Sequence, residues 1–164
     1  KESDILQIVH LIDTDGAFIP DNLVKARTEK GIQYFEDHIE TGEVKYIQGR
    51  NQKKSSVVAS LCSTGKMKSK IPYSIYYFSR NMEHVLHNVA TELTDDQKIE
   101  LADAFADRYE ENPMDFVAFI ESEEVAVPGG YTQTWTFIRE GTNSLNRHSN
   151  LRILFEQENL KSNQ

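Results

Sequence analysis

Cysteine is nearly missing: Cys62 is the only one among 164 residues. A lone thiol excludes an internal disulfide and any zinc site built on several thiolates. A reducing, cytoplasmic setting fits that usage. Cys62 closes the apolar stretch Val57-Val58-Ala59-Ser60-Leu61, so a small core residue is expected there rather than a nucleophile. Long hydrophobic runs are also missing. None approaches the length of a membrane span, and no membrane partner is expected. The opening Lys1-Glu2-Ser3-Asp4 has neither an initiator Met nor the basic-then-apolar pattern of a signal peptide. Repeats and low-complexity segments are lacking. The expectation is one α/β domain over residues 1–164, taken from a longer protein or freed of a tag.

Acidic residues are missing from one long stretch. The whole chain carries a net charge of -8, yet no Asp or Glu stands between Val44 and Met82. The same stretch holds Lys45, Arg50, Lys53, Lys54, Lys66, Lys68, Lys70 and Arg80. Overall acidity excludes a protein coated in nucleic acid over its whole surface. A local basic segment can still meet a phosphate backbone. DNA or RNA is therefore a candidate partner for the 44–82 segment. The competing reading is a solvated basic stretch that balances acidic helices.

What is present begins with Ile5-Leu6-Gln7-Ile8-Val9-His10-Leu11-Ile12, a nearly continuous apolar run rich in branched residues. Such runs belong to strands covered on both faces, as in parallel sheets. Further expectations are a short helix over Asn22 to Lys30, a strand over Glu43 to Gln48, and a helix or strand over Ser55 to Leu61. The aromatic and branched residues from Lys70 to Ser79 predict a strand. Met82, Val85, Leu86 and Val89 recur at helical spacing. Thr94-Asp95-Asp96-Gln97 has the form of a capping box and opens a helix with Ile99, Ala102, Phe105, Ala106 and Tyr109 on one face. Asn112-Pro113 starts another helix. Tyr131 to Glu140 is expected to be helical, Asn143 to Asn150 a polar loop, and Leu151 to Phe155 a strand or short helix. The pattern predicts an α/β fold: a mainly parallel sheet flanked by helices, with an appended helical second half.

Ligands of such sheets bind beyond the carboxyl ends of the strands, where Asp13 and Glu83 would both stand. The first strand stops at Asp13-Thr14-Asp15-Gly16. Residues i and i+2 of a strand share a face, so Asp13 and Asp15 are expected to aim together while Gly16 turns the backbone away. Two carboxylates so placed suit Mg²⁺ or Mn²⁺, which keeps several waters and shares its other positions with phosphate oxygens. Turn-forming aspartates at a strand end are the plainer alternative. An EF-hand is excluded because Gly16 comes too early and Val24 stands where a bidentate glutamate is needed. Glu83, in the first turns of a helix, is expected to face the crevice of Asp13, with Arg80 about one turn earlier. His84 and His87 lack the His-Glu-x-x-His spacing of a zinc site.

The order of apolar strand, Asp13-x-Asp15, later strand, and Glu83 inside the apolar segment Phe78 to His87 is similar to the Toprim nuclease-like superfamily. RloB-like and abortive-infection-type proteins of bacterial phage defence are the nearest parallels. The resemblance covers about the first ninety residues. It implies a Toprim/Rossmann-like fold and a metal-dependent nuclease with Mg²⁺ or Mn²⁺. Asp13, Asp15 and Glu83 would be metal-binding and catalytic, and Lys53, Lys54, Lys66, Lys68 and Arg80 would meet the substrate's phosphates. It also implies a catalytic glutamate on a strand upstream of Asp13, so the chain is expected to lack that strand. Leu11-Ile12-Asp13-Thr14-Asp15-Gly16 also resembles the first motif of haloacid-dehalogenase-type phosphatases, with Ala17 where a Thr is usual. A third expectation is a non-catalytic domain that binds a protein partner through the acidic helices between Thr94 and Val125; a homo-oligomer is a further expected association.

Overall fold

The apolar run near the amino terminus becomes β1 (Ile8–Asp13). The computed structural model describes residues 5–68 and 70–162, with side chains as far as residue 157. After β1 the chain turns at Asp15 and Gly16 and enters three strands of three residues each: β2 (Val24–Ala26), β3 (Ile32–Tyr34) and β4 (Ile39–Thr41). Next come α1 (Val44–Cys62), β5 (Lys66–Met67), β6 (Ile71–Phe78) and α2 (Met82–His87). The remainder is α3 (Asp95–Tyr109), α4 (Pro113–Glu121), α5 (Tyr131–Phe137) and α6 (Arg152–Ser162).

These strands do not make the mainly parallel, Toprim/Rossmann-like sheet that the sequence suggests. They make two separate mixed sheets of three strands each, ordered β1-β6-β5 and β2-β4-β3. In the first, β1 runs parallel to β6, from Ile8 opposite Tyr73 to Asp13 opposite Phe78, while β5 is antiparallel to β6. In the second, β2 is parallel to β4 and β3 antiparallel to it. The antiparallel β5 and β3 make each sheet mixed, and β1 ends the first sheet as an edge strand. The apolar run of β1 implies burial on both faces, but only one face is covered. Ile8 and Ile12 pack inward, whereas Val9 and Leu11 stay 39% and 40% exposed. Among the described residues no further strand pairs with its outer edge.

β6 organises two of the three hydrophobic clusters, because alternate side chains leave opposite faces of a strand. Tyr73, Ile75 and Tyr77 pack on Val58 of α1 and on Trp135 and Ile138, with the Tyr77 and Trp135 rings 4.8 Å apart. Tyr76 and Phe78 pack on Val85 of α2, Ile120 of α4, and Val125, Leu151 and Ile153. The third cluster joins the small sheet to α1 and to Leu145 through Ile19, Val24, Ile39 and Ile47. Ile39, Ile47, Ile75, Ile120 and Ile138 are fully buried, each contributing about 2 kcal/mol by transfer from water.

The end of β6 left uncovered by β5 is met by a loop. Ser149 bridges Phe78, and the Ser79 amide donates to the His148 carbonyl at 2.8 Å. Asn150, fully buried, accepts from the Tyr77 amide at 2.9 Å and donates to the Thr134 hydroxyl at 3.2 Å. The Tyr77 hydroxyl in turn donates to the Thr134 carbonyl at 3.0 Å. Backbone groups that would be orphaned at a buried sheet edge are thereby satisfied.

Several local expectations change. Asn22 to Lys30 contains β2 and no α-helix, and Glu43 to Gln48 runs into the first turns of α1. Ser55 to Leu61 is helical, as is the Leu151 to Phe155 segment from Arg152 on, and α5 stops at Phe137. The Thr94-Gln97 capping box is present, and Pro113 opens α4. Asn112 bonds the Asp115 side chain rather than a backbone amide of α4.

Candidate acidic site at the strand ends

β1 and β6 end side by side, and the turn after each strand is tied to the other. The Thr14 amide donates to the Phe78 carbonyl at 2.9 Å, and the Asp15 amide to the Arg80 carbonyl at 2.7 Å. The Arg80 amide donates to the Thr14 hydroxyl at 3.1 Å and to the Ser144 carbonyl at 3.0 Å. Asp15 and Arg80 both adopt left-handed backbone, with φ of 51° and 53°. This is an uncommon conformation for residues with a side chain. Gly16 comes next with φ 63°, and a Cβ there would stand 2.5 Å from a Leu145 methyl. Only glycine fits, and its fit seats the acidic turn on the third cluster.

The expected parallel aim of Asp13 and Asp15 assumes an extended chain through Asp15, but the strand ends at Asp13. The two carboxylates nevertheless remain close enough to feel each other. Asp13 is raised to about 6, first by burial and then by the charges of Asp15 and Glu83; Lys54 and a hydrogen bond from the Met82 amide oppose the rise. Met82 and Glu83 are the first two residues of α2, so the end of β6 delivers Glu83 to Asp13. Asp15 and Glu83 thus lie near enough for their charges to act on Asp13, without the three closing into one cluster.

α1 supplies the positive side. Lys54 pairs with the Asp15 carboxylate. One turn earlier, Arg50 donates to the Asp15 carbonyl at 3.0 Å, to the Tyr34 hydroxyl at 3.0 Å and to the Asn51 side chain at 2.8 Å. The Arg80 guanidinium lies over the Tyr34 ring, 4.8 Å from its centroid. Arg50 and Tyr34 are the members of this arrangement that the sequence did not single out as site residues. The i, i+4 spacing of Arg50 and Lys54 is the signal that would have found Arg50, and it appears only once residues 44–62 are read as helix.

The other basic candidates are not gathered here. Lys53 is exposed on α1. Lys66 and Lys68 are exposed around β5, which pairs with the first two residues of β6, whereas Asp13 pairs with its last. At the strand rise of about 3.3 Å per residue, they stand about 20 Å from the acidic turn.

The 143–150 loop is tied to the body of the fold. Its bonds to Ser79 hold it, and the Arg147 side chain donates to the Val85 carbonyl at 2.8 Å and pairs with Glu124. His148 packs edge-on to Phe137 at 5.0 Å, and burial lowers its pKa. His84 is buried and held down to about 4 by burial and by the nearby Arg80, Arg147 and His148. His87 packs against Phe105 at 6.0 Å. Cys62 packs partly buried against the second cluster, its sulfur 3.7 Å from Arg139, and burial raises its pKa.

Among the described residues, no three His, Cys, Asp or Glu side chains form a ready metal cluster. The donor chemistry still fits a hard cation. Neither Asp13 nor Glu83 joins an ion pair among the described residues, and Mg²⁺ needs only one or two carboxylates from the protein. The described helices include none long and apolar enough to cross a membrane. The chain matches no family model, and comparisons with curated proteins and with solved structures find no match.

Proposed function

We propose that the acidic turn is the metal site of a divalent-metal-dependent phosphoesterase acting on nucleic acid. Asp13 and Glu83 would be its principal ligands, and Asp15 an accessory carboxylate. The observation that supports this reading is the nearness of Asp13, at the end of β1, to the first turn of α2, where Glu83 stands. Asp13 accepts from the amide next to Glu83 and bears the charges of both other acids. Carboxylates held together at this cost are a feature of functional sites. The resemblance to Toprim nucleases now rests on these acids alone, because the sheet is of another kind.

Mg²⁺ or Mn²⁺ bound there would polarise a phosphoryl oxygen and lower the pKa of a bound water. The chain's own part is to position. The Met82 amide orients the Asp13 carboxylate, Lys54 holds Asp15, and Arg80 offers positive charge beside Glu83 in the same cavity. The test is Mn²⁺ binding by calorimetry together with cleavage of single- and double-stranded DNA and RNA. Wild type should bind Mn²⁺ and cleave, and Asp13→Ala should do neither. Equal Mn²⁺ binding by both proteins would sink the assignment.

One observation favours a second reading. The Lys54 ammonium already neutralises Asp15, so the turn can be stable without an ion. In that case the acids are structural and the domain is a non-catalytic interaction module. Mn²⁺ at millimolar concentration would then leave both thermal stability and nucleic acid unchanged.

A further inference from the structure

A cavity of about 690 Å³ opens beside Glu83, walled by β3 with the Gly31 turn before it, the β6–α2 junction, and the segment joining α2 to α3. Arg80 lines it. This residue is only 6% exposed, its Nε has no hydrogen-bond partner, and no carboxylate pairs with it among the described residues. Its guanidinium is held by the Tyr34 ring at 4.8 Å and by a bond to the Ala90 carbonyl. Arginine does not give up its proton in proteins. A buried guanidinium with no direct ion pair is costly, even though the Glu83 and Glu92 carboxylates line the same cavity. The left-handed backbone of Arg80 adds local strain of about 1 kcal/mol or more, of the kind that collects at ligand clamps.

We infer that this cavity binds the phosphorylated end of a nucleotide, with the phosphate on Arg80. A guanidinium suits phosphate oxygens, and the terminal nitrogen not bonded to Ala90 is the one to meet the ligand, since Nε is closed to solvent. Lys98 of α3, exposed on the same wall, supplies a second cation to offset the Glu92 carboxylate there, and Ile32 supplies apolar surface for a base. The volume lies in the range of pockets that enclose one small organic ligand, which is too small for a continuous duplex. Glu83 belongs both to this wall and to the acidic site, so a phosphate here would sit next to the proposed metal position. The inference deepens the phosphoesterase reading and rests on it for the choice of a phosphate ester over other anions. A free nucleoside monophosphate and the 5′-phosphorylated end of a strand share the required chemistry.

The experiment measures binding in EDTA, without cleavage. The ligands are a nucleoside 5′-monophosphate, the matching nucleoside, and a short single-stranded oligonucleotide with and without a 5′-phosphate. The phosphate should tighten binding about tenfold, the worth of one good charge-assisted contact. Arg80→Gln should erase that preference, Lys98→Glu should reduce it severalfold, and Asp13→Asn should leave it intact. Lys98 is exposed, so its variant reports even if the Arg80 variant does not fold. Tighter binding of the phosphorylated strand supports a strand end as ligand, and tighter binding of the monophosphate supports a free nucleotide. Equal binding with and without phosphate, no binding at millimolar concentration, or a preference that survives Lys98→Glu and Arg80→Gln would overturn the inference. Phosphate-selective binding without any metal-dependent cleavage would sink the phosphoesterase and keep the pocket.

Discussion

The Asp15 amide donates to the Arg80 carbonyl at 2.7 Å, and both residues are left-handed. Two unfavourable conformations are thus locked face to face at the ends of adjacent strands. Asn tolerates this backbone better than most residues, whereas a β-branched residue does not. Asp15→Asn should keep stability within about 1 kcal/mol, the surface-pair value of its bond to Lys54. Asp15→Val should lose about 2 kcal/mol or more. Urea denaturation of the two variants checks this, and equal midpoints would contradict it.

Asp13 is predicted to cost stability in the folded protein at neutral pH. Its folded pKa, about 6, lies above the ordinary 3.8. The protonated form is therefore favoured by folding, and that contribution is fully present below about pH 3.8 and lost as pH rises through 6. Over the whole interval the difference amounts to about 3 kcal/mol. The carboxyl is partly open to water, so about 1 to 2 kcal/mol is expected in practice. Asp13→Asn should raise the melting temperature at pH 8 and bring little gain at pH 4. An Asn variant less stable than wild type at pH 8 would refute the assignment.

Metal should reverse that cost. If Mn²⁺ binds only the folded state, tenfold excess over its dissociation constant adds about 1.4 kcal/mol. Wild type should melt at higher temperature in Mn²⁺, and Asp13→Asn should not respond.

The histidines predict the opposite trend on acidification. His84 is held down to about 4 and His148 is lowered by burial. Both stay neutral in the folded state while the unfolded chain takes up protons. Their contribution is complete above the ordinary value of 6.5 and is lost as pH falls below it, for His84 as pH approaches about 4. Histidine titrations followed by NMR should show His84 still neutral at pH 5.5. A midpoint near 6.5 would contradict its burial against Arg80 and Arg147.

Asn150 is predicted to be a strong stability determinant. Its removal leaves the Tyr77 amide without its acceptor inside the protein. Asn150→Ala should cost about 2 to 4 kcal/mol, combining that loss with a cavity. A urea midpoint matching wild type would show that water reaches the site.

Much of the second half was legible because its signals are local. Thr94 and Gln97 cap α3 through side chains three residues apart, and Pro113 needs only its fixed φ to open α4. The first half depends on distant partners. β2, β3 and β4 have three residues each, too few for any period to show. α1 hid because its buried stripe of Ile47, Asn51 and Val58 is interrupted by a polar residue. The Asp13-Thr14-Asp15-Gly16 turn was legible as a strand end, but the left-handed Asp15 was not, since Arg80 and Ser144 help to impose it. The sheet type was misread at Val9 and Leu11, whose apolar character says nothing about whether a neighbour covers them.

Ser144, His148 and Ser149 complete the ends of β6 and the backbone of Arg80. On the ribosome, Asp13 is made long before these residues, and its surroundings are finished only after Asn150 has left the exit tunnel. β1 gains its strand partner earlier, once β6 has followed it, so the backbone ties of Arg80 and Ser79 to residues 144–149 are the last to form. A chain ending before residue 143 would carry Asp13, Asp15 and Glu83 without the Ser144 and His148 carbonyls that hold the turn after β6.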